Sequence, residues 1–284
     1  MTDDPQTLVS TNWLATRLND PDLRILDGSW HMPSVGRDAR AEFAIQHIPG
    51  AQFFDIDRIS EPDTSLPHMA PSAERFARHM RTMGIGDGHQ VVVYDNAATH
   101  SAARVWWMFR LMGKTDIAVL DGGLAKWLAD GHAADNLTSP LRRSSFSAHP
   151  VPGLVRDVTQ VASASKLNSH EIVDARPAAR FLGMVPEPRA GLASGHIPGA
   201  KNLPVGDLYH DNGTMKDISS LRAEFDAAGI ELDRPVITSC GSGITAASLS
   251  LALERLGHRD HALYDGSWTE WGAYPDLKVA TGDV

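Results

Sequence analysis

Pro235-Val236-Ile237-Thr238-Ser239-Cys240-Gly241-Ser242-Gly243-Ile244-Thr245-Ala246-Ala247 changes character at Cys240, the only cysteine in the chain. Val236 to Thr238 is an apolar, β-branched run that reads as a short buried strand. From Thr245 onward, Ala246-Ala247-Ser248-Leu249-Ser250-Leu251-Ala252-Leu253-Glu254 reads as a helix. The turn between them carries Gly241 and Gly243, so it can bend tightly and aim backbone N–H groups at its own centre. A helix N-terminus adds partial positive charge at the same place. The stretch is therefore read as strand, anion-holding loop, helix, with a thiol delivered into the loop. A free thiol titrates near pH ~8.5, so only a few per cent is nucleophilic at neutral pH. A ring of amides favours the thiolate. The bland reading is an inert core cysteine, since free cysteine is often buried.

Composition bounds the rest. The chain has 284 residues and a formal charge of −9, with 42% hydrophobic and 21% charged residues. These values fit a globular protein of one large or two ordinary domains. The absence of a long basic run argues against nucleic-acid binding. The absence of a long apolar run argues against a membrane span. Met1-Thr2-Asp3-Asp4-Pro5-Gln6 lacks the features of a signal peptide. A single cysteine excludes an internal disulfide and a cysteine-cluster metal site, and a reducing cytoplasm fits best.

Outward from the cysteine loop, the chain repeats itself. Ile172-Val173-Asp174 repeats Ile25-Leu26-Asp27, and His196-Ile197-Pro198-Gly199-Ala200 repeats His47-Ile48-Pro49-Gly50-Ala51. Val236 to Cys240 repeats Val91 to Asp95, and Asp265-Gly266 with Trp271 repeats Asp121-Gly122 with Trp127. All four pairs are separated by 144 to 149 positions, about half the chain, which indicates a duplicated domain. Alternating short strands and helices predict an α/β fold in each half, a parallel sheet with helices on both faces. The expected division is residues 1–134, a join at 135–156 rich in Ser, Pro and Arg, and residues 157–284. At the cysteine position the first half has Asp95 in a loop without glycine, so one half is expected to be catalytic and the other supporting. Ligands of such sheets bind at the carboxyl ends of the strands, where Cys240 sits. Asp27 and Asp174, at strand ends, read as structural turn or cap residues, and the Trp106-Trp107 helix as core packing.

The two-fold α/β repeat, the duplicated His-Ile-Pro-Gly-Ala and a Cys-led loop in the second half alone resemble the tandem-domain rhodanese-type sulfurtransferases over essentially the whole chain. Within that family, Cys240-Gly241-Ser242-Gly243-Ile244-Thr245 is similar to the loop of the 3-mercaptopyruvate branch, with Ile for Val. The thiosulfate branch typically has Arg and Lys where this chain has Gly241 and Ser242. A dianionic donor wants fixed positive charge beside the thiol, and this loop has none. Ala179-Arg180-Phe181 followed by Glu187-Pro188-Arg189 resembles the family's substrate loop, which implies that Arg180 and Arg189 bind the donor's carboxylate and carbonyl. Phe54-Asp55-Ile56-Asp57 and Pro67-His68-Met69 resemble its acid and histidine, which implies an Asp57–His68–Ser242 relay. The first half would then reach across to complete the chemistry of the second. Read without the family, the arginines are ordinary surface residues, Asp57 is a helix N-cap and Ser242 bonds its own loop.

What the resemblance implies is sulfur transfer through a Cys240 persulfide. Gly241, Gly243, Ile244 and Thr245 would complete the loop that binds the transferred sulfur. The second acceptor would be cyanide, a small thiol or thioredoxin, and no metal or organic cofactor is implied. Three other readings stand beside it: a thiosulfate sulfurtransferase, a cysteine phosphatase and a non-catalytic persulfide-relay module. The phosphatase lacks its phosphate-gripping arginine, because the residue six after Cys240 is Ala246. The relay module is opposed by the complete arginine and Asp/His/Ser sets.

Overall fold

A computed structural model describes residues 2–138 and 143–282; positions 139–142 of the expected join lie outside the described residues. Contacts divide the chain into two compact units. The first comprises the described residues of Met1–Pro62, Ala70–Val151 and Tyr209–Met215. The second comprises those of Asp63–Met69, Pro152–Leu208 and Lys216–Val284. Within the stretch expected as the join, Phe146 is buried against Phe76 and Phe109 in the first unit.

In chain order the first unit has β1 (Leu8–Val9), α1 (Thr11–Ala15), β2 (Leu23–Asp27), α2 (Ala39–Ile45), β3 (Ala51–Phe53), α3 (Ile56–Ile59), α4 (Ala73–Thr82), β4 (Gln90–Tyr94), α5 (Ala102–Leu111), β5 (Ile117–Leu120) and α6 (Gly123–Ala129). The second has β6 (Val155–Arg156), α7 (Val158–Leu167), β7 (Glu171–Asp174), α8 (Ala178–Phe181), β8 (Lys201–Asn202), α9 (Ile218–Ala227), β9 (Val236–Ser239), α10 (Ala246–Arg255), β10 (His261–Tyr264) and α11 (Ser267–Trp271). Strand order is β1-β5-β4-β2-β3 in one sheet and β6-β10-β9-β7-β8 in the other, the same order shifted by five strands. Every pairing is parallel. This is the α/β architecture expected from the duplicated pattern, with helices flanking each sheet.

The cores repeat as the landmarks do. Ile25, Ile48, Val92 and Trp127 lie in one cluster; Ile172, Ile197, Ile237 and Trp271 lie in the other. Central parallel strands are covered on both faces, which is why β4 and β9 read as unbroken apolar runs. The repeated histidines are structural clamps. His47 stacks on Phe43 with centroids 4.0 Å apart, and His196 stacks on Phe181 at 3.9 Å. Each ring also bonds the backbone carbonyl of its phenylalanine through Nδ1, at 2.7 and 2.9 Å.

The strand-end aspartates differ between units. Asp174 is paired with the buried Arg176, whereas the corresponding Asp27 accepts the Ser29 N–H at 2.9 Å and has no arginine in the equivalent place. Burial raises the Asp27 carboxyl from 3.8 to about 6. The half-buried Asp95 is likewise raised to about 6 by the loss of hydration around its carboxyl, although the Ala102 N–H donates to it at 2.7 Å. Groups held protonated by the fold stabilise it most below their unfolded pKa, and that contribution is lost as pH rises through the folded value. Asp27→Asn should therefore raise the melting temperature of the first unit more at pH 8 than at pH 5. The whole shift corresponds to about 3 kcal/mol, of which roughly half is already present at pH 5, so the two effects should differ by about 1.4 kcal/mol. Thermal melts across that range check it, and an equal effect at both pH values would refute it.

Candidate active site

The site grows out of the carboxyl end of β9. Ser239 closes the strand in register with Asp174, and the chain then turns through residues 240–245 into α10. Cys240 is 2% exposed. Gly243, at φ +80°, donates its backbone N–H to Cys240 Sγ at 3.2 Å. Ser242 and Ile244 are buried, and Thr245 stands half-buried at the N-cap of α10.

The first turn of α11 grips this loop from behind. Trp268 N–H donates to the Cys240 carbonyl at 2.9 Å. Thr269 N–H and Oγ1 donate to the Gly241 carbonyl at 2.9 and 2.6 Å. Ser267 Oγ accepts the Cys240 N–H at 3.2 Å and donates to the Tyr264 carbonyl at 2.8 Å. Ser267 adopts φ +48°, a left-handed conformation that costs a non-glycine residue of order 1–3 kcal/mol. The first unit has Gly123 at φ +58° in the same place. The serine is therefore held in a conformation that suits glycine, and it is tied to the Cys240 backbone. The pattern Asp-Gly-Ser-Trp against Asp-Gly-Gly-Leu carries that difference, within the stretch that also marks the repeat.

His68 belongs to the second unit's contacts, in the segment Asp63–Met69. It is buried, with φ +64°, and its Nδ1 lies 3.0 Å from Ser242 Oγ. Which of the two donates depends on the imidazole tautomer. Asp57 lies in α3 of the first unit, where its Oδ2 accepts the Trp30 indole N–H at 3.2 Å. It is not the N-cap of α3; Asp55 is, its carboxylate accepting the Arg58 N–H.

Arg180, at the end of α8, lies over the thiol loop. A Cβ on Gly241 would sit 3.2 Å from its Nη2. Here the glycine makes room for a cation. Arg180 Nε and Nη2 donate to the Glu187 carboxylate at 3.2 and 2.5 Å. Glu187 also accepts from Arg176 at 2.9 Å, and Arg176 is bonded to both Asp174 oxygens with its guanidinium 4.3 Å from the Trp268 ring centroid. Burial works against the Arg176 charge, but Asp174 and Glu187 outweigh it and hold the group above its ordinary value. Arg189 is half-buried in the loop that follows α8. Glu187 and Arg176 were not singled out from the sequence. A buried ion network leaves no local signature beyond charged residues near a strand end.

A thiol that accepts one loop amide, a serine–histidine pair beside it and a guanidinium over the loop suit nucleophilic attack on an anionic donor. The rhodanese-like domain model matches residues 10–130 and 157–274. The chain belongs to the rhodanese family. As a two-domain rhodanese it is 43% identical to the 3-mercaptopyruvate sulfurtransferase of Escherichia coli K12, over 95% of this chain and 96% of that one. It is 42% identical to thiosulfate/3-mercaptopyruvate sulfurtransferase 1, mitochondrial, of Arabidopsis thaliana, over 96% of this chain and 78% of that one. Among solved structures, SseA from Escherichia coli, described as a 3-mercaptopyruvate sulfotransferase, superposes with a TM-score of 0.84 at 41% identity, covering 92% of this chain and 98% of that one. Among the described residues of this rhodanese, no helix is long and apolar enough to cross a membrane.

Proposed function

We propose that this rhodanese moves the sulfur of 3-mercaptopyruvate through a Cys240 persulfide to a second acceptor, releasing pyruvate. The observation that carries the reading is the 3.0 Å contact between His68 Nδ1 and Ser242 Oγ, inside a thiol loop that has no charged residue of its own. Mercaptopyruvate needs a proton source at its carbonyl end and thiosulfate does not. The Cys240 thiolate attacks the donor's sulfur and forms an S–S bond. The electron pair of the breaking C–S bond moves to the methylene carbon and its carbonyl, giving an enolate. Ser242, relayed by His68, stabilises that oxygen and supplies the proton that yields pyruvate. Arg180 and Arg189 hold the carboxylate and carbonyl of the donor. Asp57's place in the relay rests on the family resemblance. Gly241, Gly243, Ile244 and Thr245 shape the loop around the transferred sulfur. A thiol or cyanide then attacks the outer sulfur and regenerates Cys240 in a ping-pong cycle. A reducing cytoplasm suits a catalytic single thiol and such acceptors.

The rival donor is thiosulfate, and the Arabidopsis relative's name carries both. Replacing Gly241 and Ser242 by Arg and Lys separates them. The new side chain at 241 would crowd Arg180, and the relay hydroxyl would be lost. We expect kcat/KM for mercaptopyruvate to fall by about 10² or more, because a positioned proton donor is removed. Thiosulfate use should rise, since added charge favours the dianion. Pyruvate release and thiocyanate formation measure the two donors. A wild-type chain that forms thiocyanate from thiosulfate but no pyruvate from mercaptopyruvate would overturn the proposal.

A further inference from the structure

The two halves part company between their stacked Phe–His pairs. Phe43 precedes His47 by four positions, whereas Phe181 precedes His196 by fifteen, so the second half carries eleven additional residues there. That loop includes the well-exposed Met184 and Val185, yet the Glu187 side chain is only 2% exposed. A carboxylate is buried in this way only where charged partners compensate its lost hydration. One partner, Arg176, is rigid: it is 1% exposed, bonded to Asp174 and the Gly195 carbonyl, and lies against Trp268. The other, Arg180, is 16% exposed and lies over Gly241. In the first half the residue before the stacked phenylalanine is Glu42, itself bonded by Arg37, so no counterpart of the arrangement exists there.

We propose that Glu187 is a positioning residue that aims Arg180 at the donor. Its carboxylate occupies the Nε–Nη2 edge of Arg180 and is anchored through Arg176 to the end of β7. The guanidinium is thereby held above Gly241 with its Nη1–Nη2 edge left for the donor's carboxylate. A planar fork binds a carboxylate well only when its orientation is set in advance. The inference rests on the reading of Arg180 as donor-binding.

Glu187→Gln keeps the side chain's shape and removes the charge that holds Arg180. The expected result is a KM for 3-mercaptopyruvate about 10- to 100-fold higher with kcat changed only a few-fold, the signature of lost orientation in binding. Glu187→Asp keeps the charge and the bond to Arg176 but is one methylene too short to span both arginines. It should act in the same direction, and it serves if the Gln variant folds poorly. A second readout needs no sulfur donor. Cys240 is the only thiol in the chain, so its alkylation rate by iodoacetate relative to iodoacetamide reports how well a carboxylate is received there. That ratio should fall by the same factor in Glu187→Gln and Arg180→Ala and fall no further in the double variant, since residues acting through one another are not additive. Multiplicative losses would show that Glu187 does not act through Arg180. A lower KM or a higher ratio in Glu187→Gln would show that the carboxylate screens Arg180 rather than aiming it. Either result overturns the proposal. A wild-type chain that releases no pyruvate would remove the donor assignment, and the alkylation ratios would still decide the role of Glu187.

Discussion

Cys240→Ser should leave no measurable transfer with any sulfur donor. The chain has one thiol; the Gly243 amide donates to its sulfur, Ser267 of α11 holds the Cys240 amide and Arg180 lies over the adjoining Gly241. A serine hydroxyl is far less acidic and a poorer nucleophile toward sulfur, and no second cysteine can substitute. Loss of a covalent nucleophile is expected to cost at least about 10⁴-fold in turnover. Mass spectrometry after incubation with mercaptopyruvate should show one added sulfur, ~32 Da, on the wild type and none on the variant, as a covalent intermediate requires. Thermal stability should change little, because the exchange removes no packing volume of consequence. Retained turnover with intact folding would end the persulfide mechanism.

His68→Ala is expected to have the next largest effect. The imidazole reaches Ser242 at 3.0 Å from a backbone held at φ +64°, a conformation uncommon for any residue but glycine. Without it, Ser242 loses the imidazole that orients its hydroxyl and replaces its proton. A positioned acid–base pair contributes about 10²–10⁴-fold, so pyruvate release from mercaptopyruvate should fall by that factor. Thiosulfate turnover should fall much less, since breaking its sulfur–sulfur bond develops no enolate. Asp57→Asn tests the acid that the family resemblance adds, and should show the same donor-dependent split. Equal losses with both donors would indicate a structural role for the pair. Unchanged activity with both would remove His68 and Asp57 from the chemistry.

The architecture and the place of the single thiol were both legible in the sequence. Four repeated landmarks implied two copies of one α/β unit, and both sheets have the same parallel strand order. An apolar strand ending in Cys-Gly-Ser-Gly before a small-residue helix placed the thiol at a strand's carboxyl end, since period and glycine content are local properties of a chain. Tertiary structure decided which side chains meet there. His68 and Ser242 lie 174 positions apart and form a hydrogen bond. Ser267 holds the Cys240 amide from a left-handed turn that the serine codon alone does not announce. Glu187 stood in the Glu187-Pro188-Arg189 motif with no role of its own, and folding buried its carboxylate between two arginines. Asp55 rather than Asp57 caps α3, which depends on where the helix begins to within one residue. Periodicity records which face of an element is buried. Which polar groups meet across that face depends on packing between segments distant in the chain, and one sequence read alone carries no record of it.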